Sequence, residues 1–128
     1  MASSDNVLRG GLTHKHIDVQ ELLRHVKCEP TIPAILKGDP ENGLLVYHTP
    51  APDFELSAIH LDNNTVSIQP STAEMLLLVE GEATVESGVN ALVIRPGEPS
   101  AIIFPGNTVR IGSTGKALVY RATVPAKA

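Results

Sequence analysis

Residues 75–95 read MLLLVEGEATVESGVNALVIR, and the fold prediction starts from this stretch. It contains three short apolar or alternating runs, which are MLLLVE at 75–80, EATVES at 82–87 and ALVIR at 91–95. Gly81 and the Gly-Val-Asn segment that follows the second run separate them, and such residues form tight turns. Short runs bounded by turn residues are typical of antiparallel strands, so we predict three neighbouring strands here.

Two of these runs predict different patterns of burial. Polar and apolar residues alternate in 82–87, which is typical of a strand with one face in solvent. The run MLLLV at 75–79 does not alternate, so it predicts a strand that is covered on both faces.

The same pattern extends over residues 44 to 124. Nine short runs are candidate strands, at 44–48, 54–61, 65–69, 75–80, 82–87, 91–95, 101–104, 108–111 and 117–124. Many short strands with turn residues between them favour an antiparallel β-sandwich or barrel built from two facing sheets. The predicted fold class is therefore mostly β.

The N-terminal residues differ from this pattern. Apolar residues at helical spacing follow Asp18, which forms a capping box with Glu21, and they predict a short amphipathic helix over 18–27. Pro and Gly are frequent in 29–43, which predicts a surface connector instead of a helix or a central strand. The predicted parts are an N-terminal segment, 1–43, and a β-domain, 44–128.

Length and composition exclude several classes of protein. A chain of 128 residues suffices for one core, and with 3% aromatic residues that core must consist of Leu, Ile and Val. A net charge of −4 provides no cationic surface for phosphate backbones, so we expect no nucleic-acid partner. The apolar runs are far shorter than the roughly 20 residues of a membrane span, so we expect no membrane association. A single cysteine, Cys28, and an N-terminus without an apolar signal favour the cytoplasm, and we interpret Cys28 as an unreactive thiol.

Two groups of residues could carry chemistry. His14 and His16 form an H-x-H pair that can bind a metal, but no third ligand lies at a matching offset. Asp5, Arg9 and Lys15 either lie in local turns or form one cluster, a carboxylate between two cations, that could receive a phosphorylated substrate. Spacing alone favours the turns. We assign structural roles to the remaining histidines, His25, His48 and His60.

Longer motifs resemble a known family. SSDNVLRGGLTHKHIDVQELL at 3–23 is similar to the segment SDNVLRAGLTPK-x-x-DV-x-x-L of type I mannose-6-phosphate isomerases. Four further segments resemble the C-terminal β-domain of the same enzymes in the same order, namely TPAPDFELSAIHL at 49–61, STAEMLLLVEGEATV at 71–85, RPGEPSAIIFPGN at 95–107 and YRATVP at 120–125. The resemblance covers nearly the whole chain.

This resemblance implies a cupin-type jelly-roll barrel preceded by one short N-terminal α-helix. It also implies a cytoplasmic, zinc-dependent isomerase that interconverts mannose 6-phosphate and fructose 6-phosphate. In the family a Gln, a Glu and two His hold the zinc in an N-terminal catalytic cupin domain, upstream of the motif at 3–23. We therefore expect the chain to correspond to a C-terminal part of such an enzyme. On this interpretation it binds no zinc, lacks turnover alone and has the catalytic domain as its partner.

Three positions match residues of the family's active-site motif. Arg9 matches an arginine that stabilises the developing oxyanion while a proton moves between C1 and C2 through a cis-enediol. Asp5 matches an acidic residue of the acid-base chemistry, and Lys15 matches a substrate-binding lysine near the phosphate. His14 departs from the family, which has proline there, and this weakens the assignment of Lys15.

The β-domain resembles metal-binding cupins only in its arrangement of strands, not in its metal ligands. We estimate that Ser67, Gln69 and Val109 stand where metal cupins place histidine ligands, and only the carboxylate Glu74 remains. One carboxylate does not hold a transition metal. The resemblance and these residues together predict a metal-free barrel packed with Leu, Ile and Val.

Two alternatives stay open. The first is a free-standing, metal-free cupin-like module, which binds a sugar phosphate through Arg9 and Lys15 or forms a homodimer through a bare sheet face. The second is a small active enzyme that uses His14 and His16 with a ligand from another molecule.

Overall fold

A computed structural model describes residues 7–125 of the chain. Residue contacts divide it into two compact units, with the division between Ile35 and Leu36. The predicted β-domain, 44–128, begins within the second of these units. No helix in the described part is long and apolar enough to span a bilayer.

The first unit contains one short helix, α1, at Val19–His25. It begins after Asp18, whose Oδ1 accepts a hydrogen bond of 2.9 Å from the backbone N–H of Glu21 and so satisfies a free donor of the first turn. It ends at Val26, which is in the extended conformation. The capped helix predicted from the Asp18 spacing is confirmed, although none of its residues is buried.

The second unit contains ten strands, labelled in chain order. They are β1 at Asp39–Glu41, β2 at Leu44–Tyr47, β3 at Glu55–Asp62, β4 at Thr65–Ile68, β5 at Glu74–Glu80, β6 at Ala83–Ser87, β7 at Asn90–Ile94, β8 at Ser100–Ile103, β9 at Val109–Gly112 and β10 at Lys116–Thr123. Each of the nine predicted runs overlaps one of them, β2 to β10, with bounds that differ by no more than one residue.

Strand β1 corrects the prediction of a connector over 29–43. It pairs antiparallel with β2 and forms one edge of its sheet. Pro40 lies in its middle, and an edge strand tolerates a proline because only one of its sides forms ladder hydrogen bonds. Pro40 correctly predicted that this segment is not a central strand, but it did not exclude an edge strand.

Ten strands form two antiparallel sheets. One sheet has the order β1-β2-β3-β10-β5-β8, and the other has the order β4-β9-β6-β7. Pairing is nested around the β6–β7 hairpin, since β5 pairs with β8, β4 with β9 and β3 with β10. Nested antiparallel pairs that alternate between two facing sheets form a jelly roll.

A single aliphatic core lies between the sheets. Its members are Ala, Val, Ile and Leu residues only, among them Ile59, Leu76, Val109, Ile111 and Val119, which are fully buried. This confirms the sequence prediction that branched aliphatic side chains fill the core. Every strand from β2 to β10 contributes because alternate residues of a strand face the same side.

The burial predicted for MLLLV is wrong. Leu76 and Leu78 are buried, but Met75, Leu77 and Val79 are 52%, 45% and 54% exposed. Strand β5 lies inside the six-stranded sheet, where one face packs on the core and the other faces solvent. A continuous apolar run therefore does not indicate two covered faces here.

Gly81 provides a test of the packing between β5 and β10. Its φ is +78°, and a Cβ would overlap the Lys116 carbonyl oxygen and lie 2.9 Å from Ala117 Cα. Gly81→Ala should lower the free energy of unfolding by at least about 3 kcal/mol, because a backbone clash adds to the strain of positive φ. Urea denaturation measures the loss.

Gly97→Ala is the matched control. Gly97 also has positive φ, at +98°, but a Cβ there meets no atom within 4 Å. Its loss should be only the conformational strain, about 1–2 kcal/mol. Equal losses for the two variants would contradict the packing described for Gly81.

Candidate functional site

The candidate site is the loop before α1, which carries two of the three predicted site residues. Arg9 is half-buried, and Lys15 is exposed. Asp5 lies outside the described residues. Arg9 and Lys15 thus stand on one loop of the first unit.

Local contacts shape this loop. Gly10 lies against α1, since a Cβ on it would be 2.9 Å from Leu22 Cδ2. Any residue larger than glycine at position 10, next to Arg9, would therefore require the Leu22 side chain to move. Leu12 has a φ of +56°, in the left-handed region that few non-glycine residues adopt. The loop is therefore constrained on both sides of Gly11.

A side-chain turn precedes Lys15. The backbone N–H of Lys15 donates a 3.2 Å hydrogen bond to Thr13 Oγ1, so the bond spans position 14. This is a local turn held by a hydroxyl. His14 stands within the turn where the family motif has proline, and the turn is present with histidine in place.

Arg9 and Lys15 take part in no salt bridge within residues 7–125. A guanidinium and an ammonium on one loop attract anions, and the guanidinium can donate two parallel hydrogen bonds to a phosphate or carboxylate. These two side-chain types are therefore suited to a phosphorylated ligand.

Histidines form no metal site in the part of the chain that is described. His14 and His16 are exposed, and no group of three His, Cys, Asp or Glu side chains there could hold a metal ion. His25 is exposed and bonds to Glu21 Oε1 at 2.9 Å. Cys28 is exposed and free.

Two of the estimated metal-ligand positions in the barrel were wrong. Ser67 and Gln69 are exposed, whereas Val66 and Ile68 of β4 face the core. Ser67 and Gln69 therefore cannot hold a metal inside the barrel, because side chains at alternate positions of a strand face opposite sides of the sheet. Val109 does face the core, so the inward positions identified here are aliphatic.

Glu74 has a partner that the sequence analysis missed. Its side chain is fully buried, and Arg121 of β10 donates two hydrogen bonds to it, 2.6 Å from Nε and 2.7 Å from Nη2. The hydroxyl of Thr123 donates a third, at 3.0 Å. Glu74 is thus engaged in a bidentate ion pair, the geometry in which a buried carboxylate is best compensated.

Ser57 extends this polar cluster. It lies opposite Arg121 in the β3–β10 ladder, is completely buried, and its Oγ has no partner among the described residues. The sequence does contain a signal for the pair of Glu74 with Arg121. Each of the two charged residues lies in an apolar run, Glu74 in STAEMLLLVE and Arg121 in ALVYRATV. A buried charge requires a counter-charge.

His48 forms the other notable polar contact. It follows β2, and its Nε2 lies 2.6 Å from Glu41 Oε1 of β1. The hydrogen bond that His48 donates to the Glu41 carboxylate, aided by the charges of Glu41, Asp39 and Glu55, raises the pKa of His48 above 6.5, although desolvation opposes this. His48 also lines a cleft of about 230 Å³ together with Phe54.

Comparison with known proteins gives consistent matches. The chain is 41% identical to mannose-6-phosphate isomerase of Salmonella typhimurium over 124 residues, which are 94% of this chain and 32% of the relative. It is 37% identical to the Escherichia coli enzyme over 123 residues, with the same coverage. Mannose-6-phosphate isomerase 2 of Arabidopsis thaliana is 32% identical over 99% of this chain and 30% of its own length. The chain thus spans about a third of these relatives, and no protein-family model matches it.

Solved structures agree in fold. The Salmonella typhimurium mannose 6-phosphate isomerase bound to its substrate and to zinc superimposes with a TM-score of 0.77 at 35% identity, over 98% of this chain and 32% of that one. The apo form of the same enzyme gives a TM-score of 0.76, with the same identity and coverage. These matches confirm the predicted mostly β, cupin-type jelly roll preceded by a short helix.

Removing Arg121 tests the ion pair. Arg121→Met leaves Glu74 buried without a counter-charge and should lower the free energy of unfolding by about 3–5 kcal/mol. The double variant Glu74→Leu with Arg121→Met should lose less than the sum of the single variants, because it removes both charges. Urea denaturation of the four proteins in the cycle measures the coupling.

The exposed pair Arg95–Glu98, at 3.5 Å, supplies the control. Arg95→Met should cost less than about 1 kcal/mol because water screens that pair. If Arg121→Met costs as little, the buried pair does not hold β5 to β10.

His48 should titrate above 6.5 in an NMR pH titration, because Glu41 stabilises its protonated form. Glu41→Gln should lower the midpoint, whereas Glu98→Gln, at a distant carboxylate, should leave it unchanged. A raised folded pKa gives stabilisation that is complete below pH 6.5 and is lost as the pH rises through the raised value. If Glu41→Gln leaves the titration midpoint of His48 unchanged, the contact between His48 and Glu41 is ruled out.

Proposed function

The chain belongs to the mannose-6-phosphate isomerase family, where it corresponds to a C-terminal part, and from this premise we propose that it serves that isomerisation. In this proposal it interconverts mannose 6-phosphate and fructose 6-phosphate only together with a catalytic cupin domain. The chain contributes a loop of the active site and a jelly roll that carries no chemistry itself. The cytoplasmic location belongs to the same proposal.

One observation carries this proposal. Arg9 is half-buried on a constrained loop and makes no salt bridge with any residue in 7–125, and it lies in the motif that resembles the family's active site. An arginine that only stabilised the fold would be expected to have a carboxylate partner, as Arg121 has. An arginine reserved for an anionic ligand keeps its donors free.

The proposed roles follow from the chemistry of each side chain. Arg9 is always charged, so it can donate hydrogen bonds to the oxyanion that develops as a proton moves between C1 and C2. Lys15 supplies a mobile positive charge suited to a phosphate. Asp5, the acidic residue of the motif, is proposed to exchange protons or to orient the sugar.

Zinc is not assigned to this chain. The described residues contain no set of three His, Cys, Asp or Glu donors. The carboxylate inside the barrel is already bound by Arg121. These residues do not fit a zinc site, so we propose that the donors belong to the catalytic domain and that the chain has no turnover alone.

A second candidate function is a stand-alone module that binds a sugar phosphate through Arg9 and Lys15. The same free cations support it, so binding alone does not separate the two functions. Turnover measured in a complete enzyme separates the two functions.

A chimera tests the proposed role of Arg9. Residues 1–128 replace the matching part of the Salmonella typhimurium enzyme, and conversion of mannose 6-phosphate is measured with saturating zinc. Arg9→Ala should lower kcat by about 100-fold or more, since it removes a donor to the transition state. Lys15→Ala should act mainly on KM, because it removes a binding charge.

Arg24→Ala is the control, because Arg24 is an exposed arginine of the same unit that pairs with Glu21 at 3.0 Å. It should leave kcat within about twofold of the parent, as surface pairs contribute little. A folded, zinc-loaded chimera in which Arg9→Ala keeps the full kcat would refute the assignment.

A further inference from the structure

Part of the outer face of the six-stranded sheet is apolar across five strands. The antiparallel register aligns outward side chains of this sheet in two rows that run across the strands. The first row is Leu45, Ala58, Tyr120, Leu77 and Ser100, and the second is Tyr47, Leu56, Ala122, Met75 and Ile102. Nine of these ten residues are apolar or aromatic, and none is charged. We call these two rows the apolar face.

The other sheet provides an internal comparison. Its outer rows are Thr65, Gly112, Thr84 and Val93, and Ser67, Arg110, Glu86 and Ala91. Arg110 and Glu86 form an exposed ion pair across it at 3.8 Å. An antiparallel sheet that faces water usually has such a polar outer face. The apolar face departs from this pattern within the same domain.

Aromatic residues are concentrated at the apolar face. The chain has two Tyr, two Phe and no Trp, and none of the four belongs to the core. Tyr47 and Tyr120 lie on the face, while Phe54 and Phe104 adjoin it just before β3 and just after β8. Aromatic residues and Met are enriched at protein interfaces, and here they are absent from the core where folding alone would place them.

The exposed area is large enough for an interface. Leu56, Met75, Leu77 and Ile102, with the adjoining Val79 and Phe104, are 40–64% exposed. Together they expose on the order of 600 Å² of apolar surface, the upper end of the largest patches on monomeric proteins. A stable dimer buries about 800 Å² per partner, and these six side chains supply most of it.

We propose that the apolar face binds the same face of a second copy of this chain, forming a symmetric dimer with sheet packed on sheet. A two-fold interface places a patch against itself, so a charged patch would repel itself and an uncharged one would not. The face also has one small exposed position, because Ala122 lies between the larger Leu56 and Met75 in its row. A large side chain of one copy fills this position on the other, as in aligned sheet packing.

Sedimentation equilibrium over a range of concentrations tests the proposal. The wild-type chain should reach twice its 13.6 kDa mass, with a dissociation constant of about micromolar order. Leu77→Lys and Met75→Lys each place an ammonium on the face and should weaken dimerisation by about 100-fold or more. Both side chains are about half exposed in one copy, so the monomer keeps its fold, and thermal unfolding by circular dichroism checks this.

Val93→Lys is the matched control. Val93 is 42% exposed on the outer row of the polar sheet, and its substitution should change the dissociation constant by less than about twofold. Amide NMR shifts of the wild type on dilution supply a readout without any variant, and they should change in β5, β8 and β10. A monomer at all concentrations, a dimer dissociated by Val93→Lys but not by Leu77→Lys, or shifts confined to β4, β6, β7 and β9 would each overturn the proposal. So would a monomer whose apolar face binds only the catalytic domain of an isomerase.

Discussion

Glu74 and Arg121 form a buried ion pair between β5 and β10, and the register of the six-stranded sheet depends on it. Strand β10 pairs with β3 on one side and with β5 on the other. A shift of β5 by one residue would turn Glu74 outward and leave Arg121 without its counter-charge. The same shift would move Leu76 and Leu78 out of the core. The ion pair and the burial of Leu76 and Leu78 therefore favour the same register of β5.

This register determines what each side of the sheet can do. Inside, the core residues from both sheets are aliphatic, and the one buried carboxylate among the described residues, Glu74, is paired with Arg121. Outside, the same alternation exposes Met75 and Leu77 in two rows that carry no charged side chain. The jelly roll is therefore suited to packing and association, and the residues suited to chemistry lie on the loop of the first unit.

Most of the fold was predictable because it depends on short-range patterns. The nine runs and the Asp18 cap each involve residues a few positions apart, and all were recovered. Strand β1 was missed because three residues around Pro40 carry no alternation. The pair of Glu74 with Arg121 was missed because 47 positions separate its members. The faces of β5 were mispredicted because a sequence does not show how many layers cover a sheet. The candidate site rests on the motif at 3–23 alone, because no local pattern distinguishes Arg9 from the other arginines.

We propose that the chain carries active-site residues but no zinc site of its own. A decisive experiment measures zinc content and conversion of mannose 6-phosphate on the purified 128-residue chain after incubation with zinc and gel filtration. We expect no stoichiometric zinc and no turnover above a blank that contains zinc alone. One zinc per chain together with zinc-dependent turnover would contradict the proposal.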